Sequence, residues 1–266
     1  MTATAPEVGT LLREWRERRR LSQLELSNLA GVSTRHLSFV ETGRSRPTAV
    51  MIERLAGHLD VPLRERNRLL LAGGYAPVHP EHRLDEPELA AIREALAVVL
   101  AAHLPHPALL LNRWWDLVDA NAAVSALLDG VDAALLEPPV NVLRLSLHPR
   151  GLAPRIVNLG QWRAHLLEQL RRRIGQTADP KLVELEAELT GYPTDTPPHL
   201  PPAPPITVSD VVLPLRLRSP AGELSFFSIA AHVGTATDVT VEELVLEAFY
   251  PADSATAAAL RGLSRT

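Results

Sequence analysis

The stretch from residue 21 to residue 47 constrains the fold more than any other part of the chain. It reads Leu21-Ser22-Gln23-Leu24-Glu25-Leu26, then Ala30-Gly31-Val32-Ser33, Leu37-Ser38, and Glu41-Thr42-Gly43-Arg44-Ser45-Arg46-Pro47. Ser22 with Glu25 three residues later is a capping box, in which each side chain accepts from a backbone N–H at the start of a helix. Leu26 and Ala30 recur at helical spacing before Gly31 stops that helix. Ser33 then caps a second short helix, with Leu37 and Val40 as an i, i+3 apolar pair and Gly43 at its end. The Gly-Val-Ser turn lets the two helices meet at a steep angle, the geometry of a helix-turn-helix. Apolar spacing predicts three flanking helices. One spans about 9–20, with Leu11, Leu12 and Trp15 inward. The next follows Pro47-Thr48 with Met51, Leu55 and Leu59 inward, and the last spans about 63–72 with Leu69 and Leu70 inward. Residues 8–74 therefore read as an all-α domain of five helices.

Charge divides the chain in the same way. Through Arg83 there are 13 arginines against nine acids, a net of +4, whereas the rest carries 14 basic and 22 acidic residues, a net of −8. The total of −4 hides this. A basic head on an acidic body fits a small anion-binding module joined to something with a different task. The absence of cysteine excludes a disulfide framework, a thiolate zinc site, an iron–sulfur cluster and a cysteine nucleophile. No basic-then-apolar leader opens the chain. The longest apolar run, residues 95–102, is too short to span a bilayer, so a cytoplasmic protein with no membrane association is expected.

Beyond a linker at 75–87, rich in proline, histidine and acid, the periodicity changes repeatedly. Residues 88–103 predict a helix more apolar than amphipathic (Leu89, Ile92, Leu96, Val99, Leu100), expected to be buried between domains or subunits. Residues 108–111 and 115–119 read as a β-hairpin around Asn112-Arg113. Helices follow at 121–128, 140–147, 159–174 and 179–190, the last capped by Asp179 with Pro180 at its first position. Residues 192–205 hold seven prolines and predict an extended surface loop. The alternating segments 208–218, 223–233 and 242–250 look like an antiparallel meander, closed by a helix at 253–263. The second domain, 88–264, is thus expected to be α+β with an antiparallel sheet.

The spacing of residues 9–73 closely resembles the Cro/repressor-like, or XRE, helix-turn-helix domains. That resemblance implies a double-stranded DNA operator as partner. Gln23 would donate to a phosphate, and Thr34, Arg35 and Ser38 would meet base edges. Arg44, Arg46 and the helix start at Thr48 would hold the backbone. Arg35 suits a bidentate contact to guanine. Phe39 stands where the family often has a polar or basic residue. Glu41 would repel phosphate and is expected to be a buried hydrogen-bonding group.

Residues 86–264 resemble the PAS-like ligand-binding domain of MmyB-like XRE regulators. The resemblance rests on Asn-Arg-Trp-Trp-Asp-Leu-Val-Asp-Ala-Asn at 112–121, Asn141-Val142-Leu143-Arg144, His148-Pro149-Arg150-Gly151-Leu152 and Ile156-Val157-Asn158. It implies a fatty-acid-like or other apolar ligand between sheet and helices, and ligand-regulated transcription by a homodimer that is nucleoid-associated when DNA-bound. Trp115, Leu127, Leu143, Leu147, Trp162, Leu166, Phe226 and Ile229 are expected around that ligand. Arg113, Arg144, His148, Arg150 or Arg155 would anchor a carboxylate, and the 88–103 helix would transmit the signal. The alternative is a constitutive DNA-binding protein whose second domain only dimerises or binds a partner.

Catalytic signatures are missing. The chain has no Gly-x-Gly-x-x-Gly, phosphate loop, Gly-x-Ser-x-Gly elbow or His-Glu-x-x-His helix, so neither an enzyme nor a cofactor is expected. His79 with His82, and His103 with His106, have metal-like spacing but lie beside prolines, so solvated loops and no metal are expected.

Overall fold

A computed structural model describes residues 7–125, 127–177, 179–193 and 212–263. The chain forms two compact units. The first comprises Met1–Glu88 together with Val233–Glu242, and the second Leu89–His232 with Glu243–Thr266.

In the first unit five helices, α1 (Val8–Arg18), α2 (Gln23–Ala30), α3 (Thr34–Glu41), α4 (Ala49–His58) and α5 (Leu63–Ala72), enclose a core that includes Leu12, Leu26, Leu37, Leu55 and Leu70. Local chemistry sets the central pair. Ser22 and Glu25 close both bonds of the capping box, Gly31 takes the left-handed conformation at φ 63°, and the Ser33 hydroxyl caps α3 at His36 N–H. Gly9 is required by packing, since a Cβ there would stand 2.1 Å from the Val40 carbonyl oxygen. α4 and its C-cap bury Leu55 and Leu59 as expected, with Ile52 rather than the half-buried Met51 filling the first position.

Residues beyond α5 stay with this unit. The Asn67 side chain donates to His79 O and accepts from Val78 and His79 N–H, and the Tyr75 hydroxyl donates to Pro47 O. The Val233–Glu242 segment, with its single helical turn α11 (Val239–Glu242), completes the unit. Buried Asp238 accepts from the backbone and Nδ1 of His82, and Val239 N–H donates to Pro80 O. α5 starts after Pro62, which offers no capping side chain. Its first N–H is instead satisfied at 2.8 Å by the Glu242 carboxylate.

The second unit opens with α6 (Ala90–Ala102) and is built on a five-stranded antiparallel sheet. Its strands are β1 (Ala108–Leu111), β2 (Leu117–Ala120), β3 (Leu215–Ser219), β4 (Gly222–His232) and β5 (Val245–Pro251), in the order β2-β1-β5-β4-β3. The helices are α7 (Ala122–Ser125), α8 (Val142–Leu147), α9 (Leu159–Thr177), α10 (Pro180–Thr190) and α12 (Ser254–Leu263). Asp179 caps α10 as expected. One hydrophobic cluster joins α8, α9 and α10 to the sheet, through Leu143, Trp162, Leu170, Leu182, Leu217 and Phe226.

Three asparagines of the motif at 112–141 act as staples. The Asn112 side-chain oxygen Oδ1 accepts from Trp114 and Asp116 N–H and shapes the β1–β2 turn, where Trp115 sits at φ 62°. Asn121 links β1 to the carbonyls of Leu100 and His106, and Asn141 caps α8 while donating to Trp114 O.

Leu89 and Leu100 are the buried residues of the 88–103 segment, expected to be buried between domains or subunits, and Val98 retains 68% of its surface within this chain. One expectation is corrected. The expected strand 208–218 begins only at Leu215, with Val212–Pro214 irregular, while 208–211 and most of the proline-rich 192–205 lie outside the described residues. No helix among the described residues is long and apolar enough to cross a membrane.

Candidate nucleic-acid interface and ligand cavity

The outward face of α3 carries the first candidate surface. Arg35 is exposed, its guanidinium 5.3 Å from the centre of the Phe39 ring, and it makes no hydrogen bond or ion pair among the described residues. Phe39 is half-buried beneath it and serves as its stacking platform. Ser38 is half-buried on the same helix, and Arg44 is exposed in the loop that follows. These three side chains are available to a ligand.

The other expected contacts are engaged within the protein. Gln23 Nε2 donates to Glu41 Oε2 at 2.8 Å, and the Thr34 hydroxyl bonds that of Ser27 at 2.8 Å. Arg46 donates twice to the Gly73 carbonyl, which would otherwise be an orphan at the end of α5, and the Thr48 hydroxyl accepts from Met51 N–H as the cap of α4. Arg46 thus ties the loop after α3 to the end of α5. Glu41 is the buried hydrogen-bonding group expected. Its carboxylate takes Arg16 Nε at 2.7 Å and Nη2 at 2.9 Å, while Arg16 Nη1 donates to Leu21 O. Hydrogen bonding to Glu41 outweighs burial and raises the Arg16 pKa further.

The second candidate site is a cavity in the sheet unit with two adjoining chambers, both lined by Trp115, Trp162, Gln169 and Glu247. The larger, about 450 Å³, sets polar side chains among apolar surface, with His165, Arg172 and Arg173 from α9 and Ser228 and His232 from β4. The smaller, about 90 Å³, is apolar, lined among others by Leu127, Leu143 and Leu166.

Five of the eight expected lining residues meet here: Trp115, Leu127, Leu143, Trp162 and Leu166. Leu147 and Phe226 are packed into the solid core, and Ile229, 51% exposed, points from the opposite face of β4. None of the expected anchors is a free cation. Arg113 reaches the larger chamber but pairs with Asp179 and Glu243, Arg144 is bidentate to Glu188, and Arg150 pairs with Asp132. Arg155 donates to the carbonyls of Leu127, Asp129 and Arg218, and His148 Nδ1 accepts from Arg150 N–H.

The cavity's polar residues were missed, yet they carry a periodic signal. Trp162, His165, Gln169, Arg172 and Gln176 recur at three- and four-residue steps on one face of α9, and Ser228, Ala230 and His232 alternate on β4. Burial, then the charge of Arg172, lowers the His165 pKa, and Gln169 Nε2 lies 2.7 Å from His165 Nε2, as a donor would to a neutral ring. Neutral His165 contributes stability that is fully present above its ordinary pKa of about 6.5 and is lost as pH falls through the lower folded value. Melting curves between about pH 7.5 and about pH 5 should therefore show wild type losing more than His165→Gln. Parallel losses would remove His165 as the cause.

The four paired histidines are not the solvated loops expected. His79 lies 3.3 Å from Glu53, His82 binds Asp238 at 2.7 Å, and His103 Nε2 reaches Phe249 O at 2.9 Å. His106 is partly buried beside His103, and burial followed by that neighbour lowers its pKa.

A family model described as "MmyB-like transcription regulator ligand binding domain" matches residues 92–263, and one described as "Helix-turn-helix domain" matches residues 7–69. Among solved structures, the restriction-modification controller protein C.AhdI from Aeromonas hydrophila is 37% identical, covering 22% of this chain and 89% of its own, with a TM-score of 0.21. The SinR protein/SinI protein complex is 23% identical, covering 35% and 82%, with a TM-score of 0.23. No curated protein matches.

Proposed function

Since the chain belongs to the MmyB-like transcription regulators, DNA-binding helix-turn-helix proteins with a ligand-binding domain, we propose that it binds a specific operator as a homodimer and responds to a small amphipathic, fatty-acid-like ligand. The observation that carries the DNA-reading part is the unengaged Arg35–Ser38 face of α3, with Arg44 beside it. Arg35 reads a base edge, Ser38 adjoins it, and Arg44 holds a phosphate. Two copies would read half-sites about 34–36 Å apart, or a multiple of that. The exposed apolar side chains Val98 and Val99 of α6, with Leu104 just beyond its end, support self-association.

The cavity supports the sensing part. β4 and β5 line it, and the segment joining them, Val233–Glu242, belongs to the helical unit. A ligand that displaced these strands would act on the residues that cap α5, a more direct route than the 88–103 helix. Leu143→Trp, which fills the apolar chamber, should weaken ligand uptake about tenfold and leave operator affinity of the ligand-free protein unchanged. Mass spectrometry of natively purified protein supplies the ligand for that titration, and unchanged uptake would place the site elsewhere. A reproducible absence of any bound molecule would favour the second reading, a constitutive DNA-binding protein that dimerises through surfaces such as α6.

A further inference from the structure

The apolar chamber, at about 90 Å³, has room for only about three water-sized groups. The larger chamber, at about 450 Å³, falls within the usual range for small-molecule pockets. A long acyl chain is poorly matched to that division of space. Glu247 lines both chambers from the middle of β5. In register with Ala230 of β4, it lies diagonal to Ser228, whose hydroxyl is its hydrogen-bond partner. Burial is the main influence on this carboxyl and raises its pKa, while the Ser228 hydrogen bond opposes it. Part of its surface still touches the cavity. A carboxyl so placed accepts hydrogen bonds in either protonation state and donates one when protonated, and an unanswered polar group there is costly.

We propose that Glu247 reads an oxygen function on the ligand, and that the ligand is a short-chain carboxylic acid bearing a hydroxyl or oxo group between its anionic head and a tail of about three carbons. The head lies toward Arg172 and Arg173, and the tail lies among Leu127, Leu143 and Leu166. This rests on the ligand-sensing reading and narrows it. A site built to hydrogen-bond a hydroxyl discriminates against the analogue without one, because its own polar group is then left unpaired.

Calorimetric titration of the full-length protein with 3-hydroxyhexanoate, hexanoate and tetradecanoate tests the assignment. The hydroxy acid should bind about tenfold more tightly than hexanoate. Glu247→Leu should erase that ratio, and Glu247→Gln, which keeps a donor and an acceptor, should preserve most of it. If Glu247→Leu does not fold, Glu247→Asp, which withdraws the acid by one methylene, should reduce the ratio, and an unchanged ratio overturns the assignment. Equal affinities for the two six-carbon acids in wild type, or a preference that survives in Glu247→Leu, also overturn it. Tightest binding of tetradecanoate overturns the short-chain class but leaves ligand sensing intact. Binding of none of the three acids overturns this inference alone, because the sensing reading is judged by whether purified protein carries any molecule at all.

Discussion

Arg16→Met should lower the stability of the helical unit by about 3–5 kcal/mol, the largest effect expected of any single substitution discussed here. The Glu41 side chain retains 1% of its exposure, and Arg16 supplies two of the three side-chain N–H groups that it accepts, Gln23 the third. Without Arg16 a charge remains buried with one neutral amide to answer it, while Arg16 Nη1 also abandons the Leu21 carbonyl. Arg16→Met combined with Glu41→Leu should regain most of the loss, since an apolar pair of similar volume leaves no orphan charge. Urea denaturation followed by circular dichroism distinguishes the cases. A single-variant loss below about 1 kcal/mol would mean that water or Gln23 suffices for Glu41.

Arg35→Ala should cost about 1–3 kcal/mol on the preferred operator and much less on random duplex, relaxing specificity at one base position. Arg44→Ala should weaken both duplexes alike and reduce the salt slope by about one. The contrast follows from where the two guanidiniums stand. Arg35 is held over Phe39 on the helix face, whereas Arg44 is exposed in the loop beyond it. Selection of bound sequences from random DNA, followed by titration at several salt concentrations, supplies both measurements. If Arg35→Ala lost the same affinity on operator and random DNA, the residue would be a phosphate contact and α3 would need another reader.

What was legible in the sequence was local. Ser22, Glu25, Gly31 and Ser33 determine their own backbone within four residues, so both helices of the central pair could be placed from spacing alone. The roles expected of Gln23 and Arg46 depended on what lies across the fold. Glu41 is 18 residues from Gln23 and Gly73 is 27 from Arg46, and no periodicity reveals such partners. The 88–103 segment, expected to be buried between domains or subunits, leaves much of its apolar surface open within one chain, and much of its apolar character comes from alanine, which forms helix without requiring burial. Phe226 and Ile229, three residues apart on one strand, could not both face the same cavity, because strand side chains alternate. Polar residues facing inward at regular steps, His165, Gln169 and Glu247 among them, were the better guide to the cavity.

The cap that Glu242 lends to α5 has a practical corollary for protein engineering. The DNA-reading half is not one continuous stretch of polypeptide, since it borrows a decapeptide from the far end of the chain. Chimeras that exchange effector modules between regulators of this type would have to transplant two separated fragments together. A cut at residue 88 would deliver a reading head without its own keystone.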